Sequence, residues 1–241
     1  VVVLVFLVLA SPYYLYRMLR TRKYRAGLRE RFGLLPEEKV RRLRGKKVCW
    51  IHSVSVGEVH AAAGMISRLK RQHEDYTFVV STVTGTGQAR ARALEEVDEV
   101  IYLPLDIGFI IHRVFRLIHP EVFVIVETEL WPRLIFVLHR KGVPVLVVNG
   151  RISDRSFKRY RQTRLFWSRM LPLVDKFAMQ SEEDGARVIA MGAPEENVVV
   201  HGNMKFDQAP GKPEAKKLEQ LRAQLGLQPE QKLWLAGSTH P

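Results

Sequence analysis

From residue 46 onward, short apolar runs rich in β-branched residues alternate with segments long enough for crossover helices. The runs are "KVCWIH" (47–52), "TFVVST" (77–82), "EVIYL" (99–103), "VFVIVE" (122–127), "PVLVVN" (144–149), "KFAMQS" (176–181) and "NVVVHG" (197–202). Near-continuous apolarity predicts strands buried on both faces, and the alternation predicts an α/β fold: a doubly wound, mainly parallel Rossmann-like domain. "NMKFDQAPGKPEAKK" (203–217) interrupts the pattern with two prolines and a glycine and reads as a linker region. After it, "EAKKLEQLRAQLG" predicts a helix stopped by Gly226, and "KLWLAGST" predicts a fresh strand. The expected organisation is therefore a domain over 32–205, a linker over 206–213, and the start of a second α/β domain over 214–241. The chain begins with Val1 rather than Met and stops on "LAGSTHP", so it reads as a segment cut at both ends.

The front of the chain follows another pattern. "VVVLVFLVLA" is apolar at all ten positions, against the roughly twenty residues that a spanning helix needs. Tyr13, Tyr14 and Tyr16 follow, and then Arg17, Arg20, Arg22, Lys23, Arg25, Arg29 and Arg31, balanced only by Glu30. Interfacial aromatics and a basic flank over 1–31 predict a retained anchor on an anionic membrane surface, spanning or lying in the interface. A cleaved signal peptide fits less well, because no small-residue cleavage site leads into a neutral mature start.

Charge and composition narrow the partners. With 46% hydrophobic residues and a formal charge of +13, the chain is globular and suited to an anionic partner. Nucleic acid ranks last, because no aromatic-interleaved basic surface is visible. The single cysteine, Cys49, excludes a disulfide framework, sits in an apolar run and points to core packing in a reducing cytoplasm. His52, His60, His73, His112, His119, His139, His201 and His240 show no compact ligand spacing, so no metal site is expected. Trp50, Trp131, Trp167 and Trp234 read as core or domain-interface residues.

In open parallel sheets, ligands bind beyond the carboxyl ends of the strands, which makes the residues after each strand the candidates. Ser53, Ser55, Gly57 and Glu58 follow the first; Thr82, Thr84, Gly85, Thr86 and Gly87 follow the second; Glu127, Thr128 and Glu129 follow the fourth. Glu58 falls in the first turn of a helix running to about Leu69, where the dipole favours a carboxylate by roughly 0.3–1 kcal/mol. The same position faces the crevice, where a carboxylate can act as general base. Spacing leaves both roles open. "TGTG" permits close approach of a ligand to the backbone but lacks the dinucleotide fingerprint and a Walker lysine. In "ETELWP", two carboxylates end an apolar strand, which is costly unless they are solvated, paired or used, and Pro132 suits a first helical position.

Taken in order, "HSVSVGEV", "TVTGTG", "YLPLD", "ETELWP", "NGRISDRS", "SEEDGAR", "GNMKFD" and "GSTHP" resemble the 3-deoxy-D-manno-octulosonic acid (Kdo) transferases of lipopolysaccharide synthesis. The resemblance implies a two-domain GT-B glycosyltransferase that moves Kdo from CMP-Kdo to the lipid A precursor, lipid IVA, with inversion and no cofactor. It implies work at the cytoplasmic face of the inner membrane. It makes Glu58 the general base, and Glu127 and Lys205 the groups that stabilise the transition state, Lys205 reaching the cleft as the domains close. Gly237, Ser238, Thr239 and His240 of "GSTHP" join Ser53, Ser55, Gly57, Thr84, Gly85, Thr86, Gly87 and Glu129 as substrate contacts. Arg151, Arg155, Lys158 and Arg159 become candidates for phosphate or headgroup contacts. With most of a CMP-binding domain missing, the chain is expected to be inactive by itself. Two alternatives remain: another GT-B transferase with a lipid-linked acceptor, and a non-catalytic module for anionic membranes.

Overall fold

The strands owe their place to apolar side chains on both faces. Along β1 (Lys47–His52), Val48 and Trp50 point into one apolar layer while Cys49 and Ile51 point into the other, as the two-residue period of a strand requires. The computed structural model describes residues 27–208, 215–228, 231, 233 and 234. Six further strands join β1: β2 (Tyr76–Thr82), β3 (Glu99–Tyr102), β4 (Pro120–Val126), β5 (Val145–Gly150), β6 (Lys176–Met179) and β7 (Val198–Val200). All pair in parallel, in the order β3, β2, β1, β4, β5, β6, β7.

Helices cover both faces. α1 (Leu28–Arg31) and α2 (Glu37–Leu43) precede β1; α3 (Val56–Gln72) follows β1 and α4 (Gly85–Arg92) follows β2. α5 (Gly108–Ile118), α6 (Pro132–Arg140), α7 (Asp154–Gln162), α8 (Arg164–Met170) and α9 (Glu182–Met191) complete the unit. Val59, Ala62 and Ile66 of α3 and Ala91 of α4 fill one layer. Ile111 and Val114 of α5, Leu134 and Leu138 of α6, Met170 of α8 and Val188 of α9 fill the other. Each large side chain buried this way contributes about 1.5–3 kcal/mol. This is the doubly wound α/β arrangement that the apolar pattern predicts.

Strand ends differ from the sequence reading for local reasons. β4 stops at Val126 because Glu127 turns into the left-handed region at φ 62°. β6 stops at Met179 because Ser181 is already the N-cap of α9, accepting from the Asp184 amide. β7 is short because a 3-10 turn over Glu195–Asn197 precedes it and Gly202 follows at φ 86°.

The basic flank is split. Residues 1–26 lie outside the described set, so the expected anchor and most of its arginines do too. Arg31 is not a free membrane contact: its guanidinium bonds the Val83 carbonyl and sits 4.7 Å from the centroid of the Tyr102 ring, tying α1 to the sheet edge. Among the described residues no helix is long and apolar enough to cross a membrane.

The chain divides between Asp207 and Gln208 into two compact units. The second unit contains α10 (Ala215–Gln224), ended as expected by Gly226 in the left-handed region at φ 65°. The strand read in "KLWLAGST" is not formed where it is described: Leu233 and Trp234 are in no regular element, and Trp234 is 88% exposed instead of packed. No neighbouring strand exists among the described residues of this unit to supply a ladder. Gly237, Ser238, Thr239 and His240 lie outside the described residues.

Candidate active site

Chain order reverses between β1 and β4, which are neighbours in the sheet although β2 and β3 intervene in sequence. Such a switch point opens a crevice at the carboxyl ends of the two strands, because their following segments depart in opposite directions. Ser53–Glu58 leave β1 there, and Glu127–Trp131 leave β4.

Ser55 caps α3, and Glu58 is the third residue of that helix. Its carboxylate reaches back, Oε2 accepting from the Val54 amide at 2.6 Å and Oε1 from the Ser55 hydroxyl at 2.9 Å, a variant of the capping box. Glu58 is only 8% exposed. Burial raises its pKa above the ordinary carboxylate value; the bonds from Val54 and Ser55 oppose this, and the charges of Glu127 and Glu129 add to it. The structural role and the basicity needed of a proton acceptor therefore coexist in one side chain.

Across the crevice, Glu127 is held at φ 62° while its amide still bonds the Val148 carbonyl at 2.9 Å. A non-glycine residue in this region stores strain on the order of 1–3 kcal/mol, the kind that clusters at functional sites. Lys205 Nζ lies 4.0 Å from Glu127 Oε1. Lys205 lies in the first unit, on a 3-10 turn (Met204–Gln208) that runs up to the boundary between the units, so the pair forms within that unit. That turn is fixed by Asn149, whose Oδ1 accepts from the Met204 amide at 3.0 Å, and by Asn203 bonded to Gln180 at 3.1 Å. Partial burial, followed by the Glu127 charge, holds Glu129 above its ordinary value too.

A family model described as 3-deoxy-D-manno-octulosonic-acid transferase (kdotransferase) matches residues 26–208. The chain belongs to this family. A 3-deoxy-D-manno-octulosonic acid transferase of Haemophilus influenzae is 34% identical over 220 residues, covering 90% of this chain and 50% of the relative. One from Chlamydophila psittaci is 30% identical, covering 95% and 53%. A bifunctional glycosyltransferase/methyltransferase of Fusobacterium nucleatum is 32% identical, covering 94% of this chain and 36% of the relative. The chain thus spans about half the length of the curated transferases it matches. Among solved structures, a UDP-N-acetylglucosamine 2-epimerase superposes with a TM-score of 0.50 at 12% identity, covering 73% of this chain and 55% of that one, a likeness of fold alone.

Within this Kdo transferase family member, the other candidate contacts divide. Ser53 is fully buried, and its Oγ has no hydrogen-bond partner. Gly57 faces open space, the nearest atom to an added Cβ being Ser55 Oγ at 3.9 Å. Thr84 caps α4, accepting from the Gly87 amide at 3.0 Å, and also approaches the Val54 carbonyl at 3.4 Å. Gly85 and Thr86 are exposed. Gly87 is tightly packed: an added Cβ would lie 2.9 Å from Thr84 Oγ1 and 3.4 Å from the Val54 carbonyl, so packing alone already calls for glycine there. Arg151 lines a polar cavity with Glu127 and Glu129, and exposed Arg155 does not line it.

Three supporting residues escaped the sequence reading. His52, fully buried, bonds Ser81 through Nδ1 and accepts from Trp131 Nε1 at 3.1 Å. Asp106 caps α6 by accepting from the Arg133 and Leu134 amides at 3.0 and 2.8 Å. Asn149 occupies the left-handed region at φ 54°. His52 and Asn149 each end an apolar run, which is the only hint of them; Asp106 lies three residues beyond the end of its run. Beyond the crevice, an apolar groove of about 780 Å³ is lined by Pro132, Phe136, Leu165, Phe166, Met170 and Leu173, with Arg133 and Arg169 beside them.

Proposed function

We propose that this chain is the acceptor-side half of a glycosyltransferase that moves Kdo from CMP-Kdo to the lipid A precursor in lipopolysaccharide synthesis. The observation that carries the reading is the convergence at the β1/β4 switch point of a buried, basic-shifted Glu58 with Glu127 and Lys205. Glu58 takes the proton of an acceptor hydroxyl as its oxygen attacks the anomeric carbon of Kdo. The bond from that carbon to the CMP phosphate breaks on the opposite side, and the configuration inverts. Lys205 opposes the negative charge leaving with CMP, and Glu127 the positive charge growing on the sugar. No cofactor takes part in this step.

The second unit begins the nucleotide-binding domain in this reading, and the residues its relatives have beyond this chain supply most of it. The work takes place at the cytoplasmic face of the inner membrane. The arginine-flanked groove supports contact with a membrane surface, because apolar surface beside basic residues suits an anionic interface. Acceptor-dependent CMP release tests the function, measured on this chain joined to the second half that its relatives possess. Release only with acceptor present is the expected result; vesicle binding without release would leave the non-catalytic module instead.

A further inference from the structure

The block "SEEDGAR" (181–187) takes no part in the transfer chemistry, yet it is tied to the loop that leaves β5. Ser181 caps α9, and its hydroxyl donates to Asp184 Oδ2 at 2.6 Å. Asp184 Oδ1 accepts from the Ile152 amide at 2.7 Å, so both carboxylate oxygens of this buried acid are engaged within the fold rather than turned to a ligand. About one turn further along α9, Arg187 Nη1 donates to the Ile152 carbonyl at 2.5 Å, while its Nη2 bonds Asp154 and Glu183. The block thus grips both backbone groups of Ile152.

The preceding residue carries that grip across to the turn after β4. Thr128 Oγ1 accepts from the Arg151 amide at 2.9 Å and donates to the Arg151 carbonyl, so one side chain holds both backbone groups of Arg151. Thr128 directly follows Glu127, the residue kept at φ 62° with its Oε1 4.0 Å from Lys205 Nζ. A residue with a side chain stays in that region only where its surroundings over-determine it. Here the bond from the Glu127 amide to the Val148 carbonyl fixes one side of the residue, and the Thr128 hydroxyl fixes the other. We infer that Asp184 and Arg187 are positioning residues for Glu127, acting through Ile152, Arg151 and Thr128. The assignment rests on the glycosyl-transfer reading, which gives Glu127 its task, and deepens it. What the clamp sets is where the Glu127 carboxylate stands as charge develops on the sugar.

The test compares Thr128→Val, which keeps the shape but makes neither bond, with Thr128→Ser, which can make both, and with Asp184→Ala, all in the chain joined to its second half. Kdo transfer, amide exchange and the thermal midpoint are measured on each. Thr128→Val and Asp184→Ala should each lower kcat about 10- to 100-fold with KM little changed, and Thr128→Ser should stay near the parent. Combining Thr128→Val with Asp184→Ala should lower kcat no further than the slower single variant, because one route is broken twice; independent effects would multiply. Exchange at the Arg151 amide should quicken in Asp184→Ala although Asp184 bonds only its neighbour, Ile152. Arg187→Met, which frees the Ile152 carbonyl, takes the place of Asp184→Ala if that variant fails to fold. Parent turnover in Thr128→Val, equal losses in the two Thr128 variants, multiplied losses in the double variant, or unchanged exchange at Arg151 would overturn the assignment. Absence of Kdo transfer by the parent would count against the transfer reading alone, and the exchange measurement would still decide the clamp.

Discussion

The indole N–H of Trp131 donates to Nε2 of His52 at 3.1 Å, joining the residue that ends β1 to the turn that follows β4. The bond requires a neutral imidazole with its proton on Nδ1, which faces Ser81. Burial lowers the His52 pKa from 6.5 to about 4, against a smaller opposing effect from the Ser81 carbonyl.

The folded chain therefore binds fewer protons than the unfolded chain between about pH 4 and 6.5. Stability from this group is present above the upper value and is lost as pH falls through the window, by roughly 3 kcal/mol in all. Thermal unfolding across that range should show the slope. His52→Gln, which keeps an acceptor for Trp131 but cannot titrate, should flatten it. Trp131→Phe should cost about 1–3 kcal/mol by stranding Nε2.

Asn149 gives a second prediction. Asn149→Ala removes the acceptor for the Met204 amide and puts a β-carbon residue less tolerant of φ 54° at that position, so the chain should lose about 1–3 kcal/mol. Asn149→Gly relaxes the backbone and still loses the bond. Hydrogen exchange at the Met204 amide should speed up in both variants, and Kdo transfer should fall with it because Lys205 is next in the chain. Unchanged exchange would show that the turn is held by other contacts.

Much of this architecture was legible in the sequence. Seven apolar runs located seven strands because burial on both faces leaves few polar residues within them. Glu58 and Glu127 stand out at strand ends, and Lys205 enters only through the family resemblance; the structure brings Lys205 within 4.0 Å of Glu127. What sequence could not show was hydrogen bonding across long separations. His52 meets Trp131 from 79 positions away and Asn149 meets Met204 from 55, and neither pair shares a local pattern. The reason for Gly87 was also invisible, since it depends on how closely α4 approaches the loop after β1.

The groove predicts a surface effect. Leu165 and Phe166 are 71% and 50% exposed, so Leu165→Asp with Phe166→Asp should alter stability by no more than about 0.5 kcal/mol each. Binding to anionic vesicles should weaken, and rising salt should weaken it further by screening the arginines. Cosedimentation equal to that of the parent would remove the groove from membrane contact.

The elevated Glu58 pKa has two consequences of defined sign. A general base works only when ionised, so the transfer rate should rise with pH through a midpoint above the ordinary 4.5 and then level off. The folded chain also holds this proton more tightly than the unfolded chain does. Its stabilising contribution is therefore present below 4.5 and lost as pH rises through the folded value. A rate profile with its acid midpoint at or below the ordinary value would separate Glu58 from the acid limb.

The most direct measurement is Kdo transfer by Glu58→Gln in the chain completed with its second half, alongside its thermal midpoint. The substitution keeps the shape and one acceptor oxygen but cannot take the proton, and it weakens the tie to the Val54 amide. Turnover should fall about 10²- to 10⁴-fold while stability changes by only about 1 kcal/mol. A variant that transfers Kdo at the parent rate, whatever its stability, would contradict the assignment and leave Glu58 as a helix cap alone.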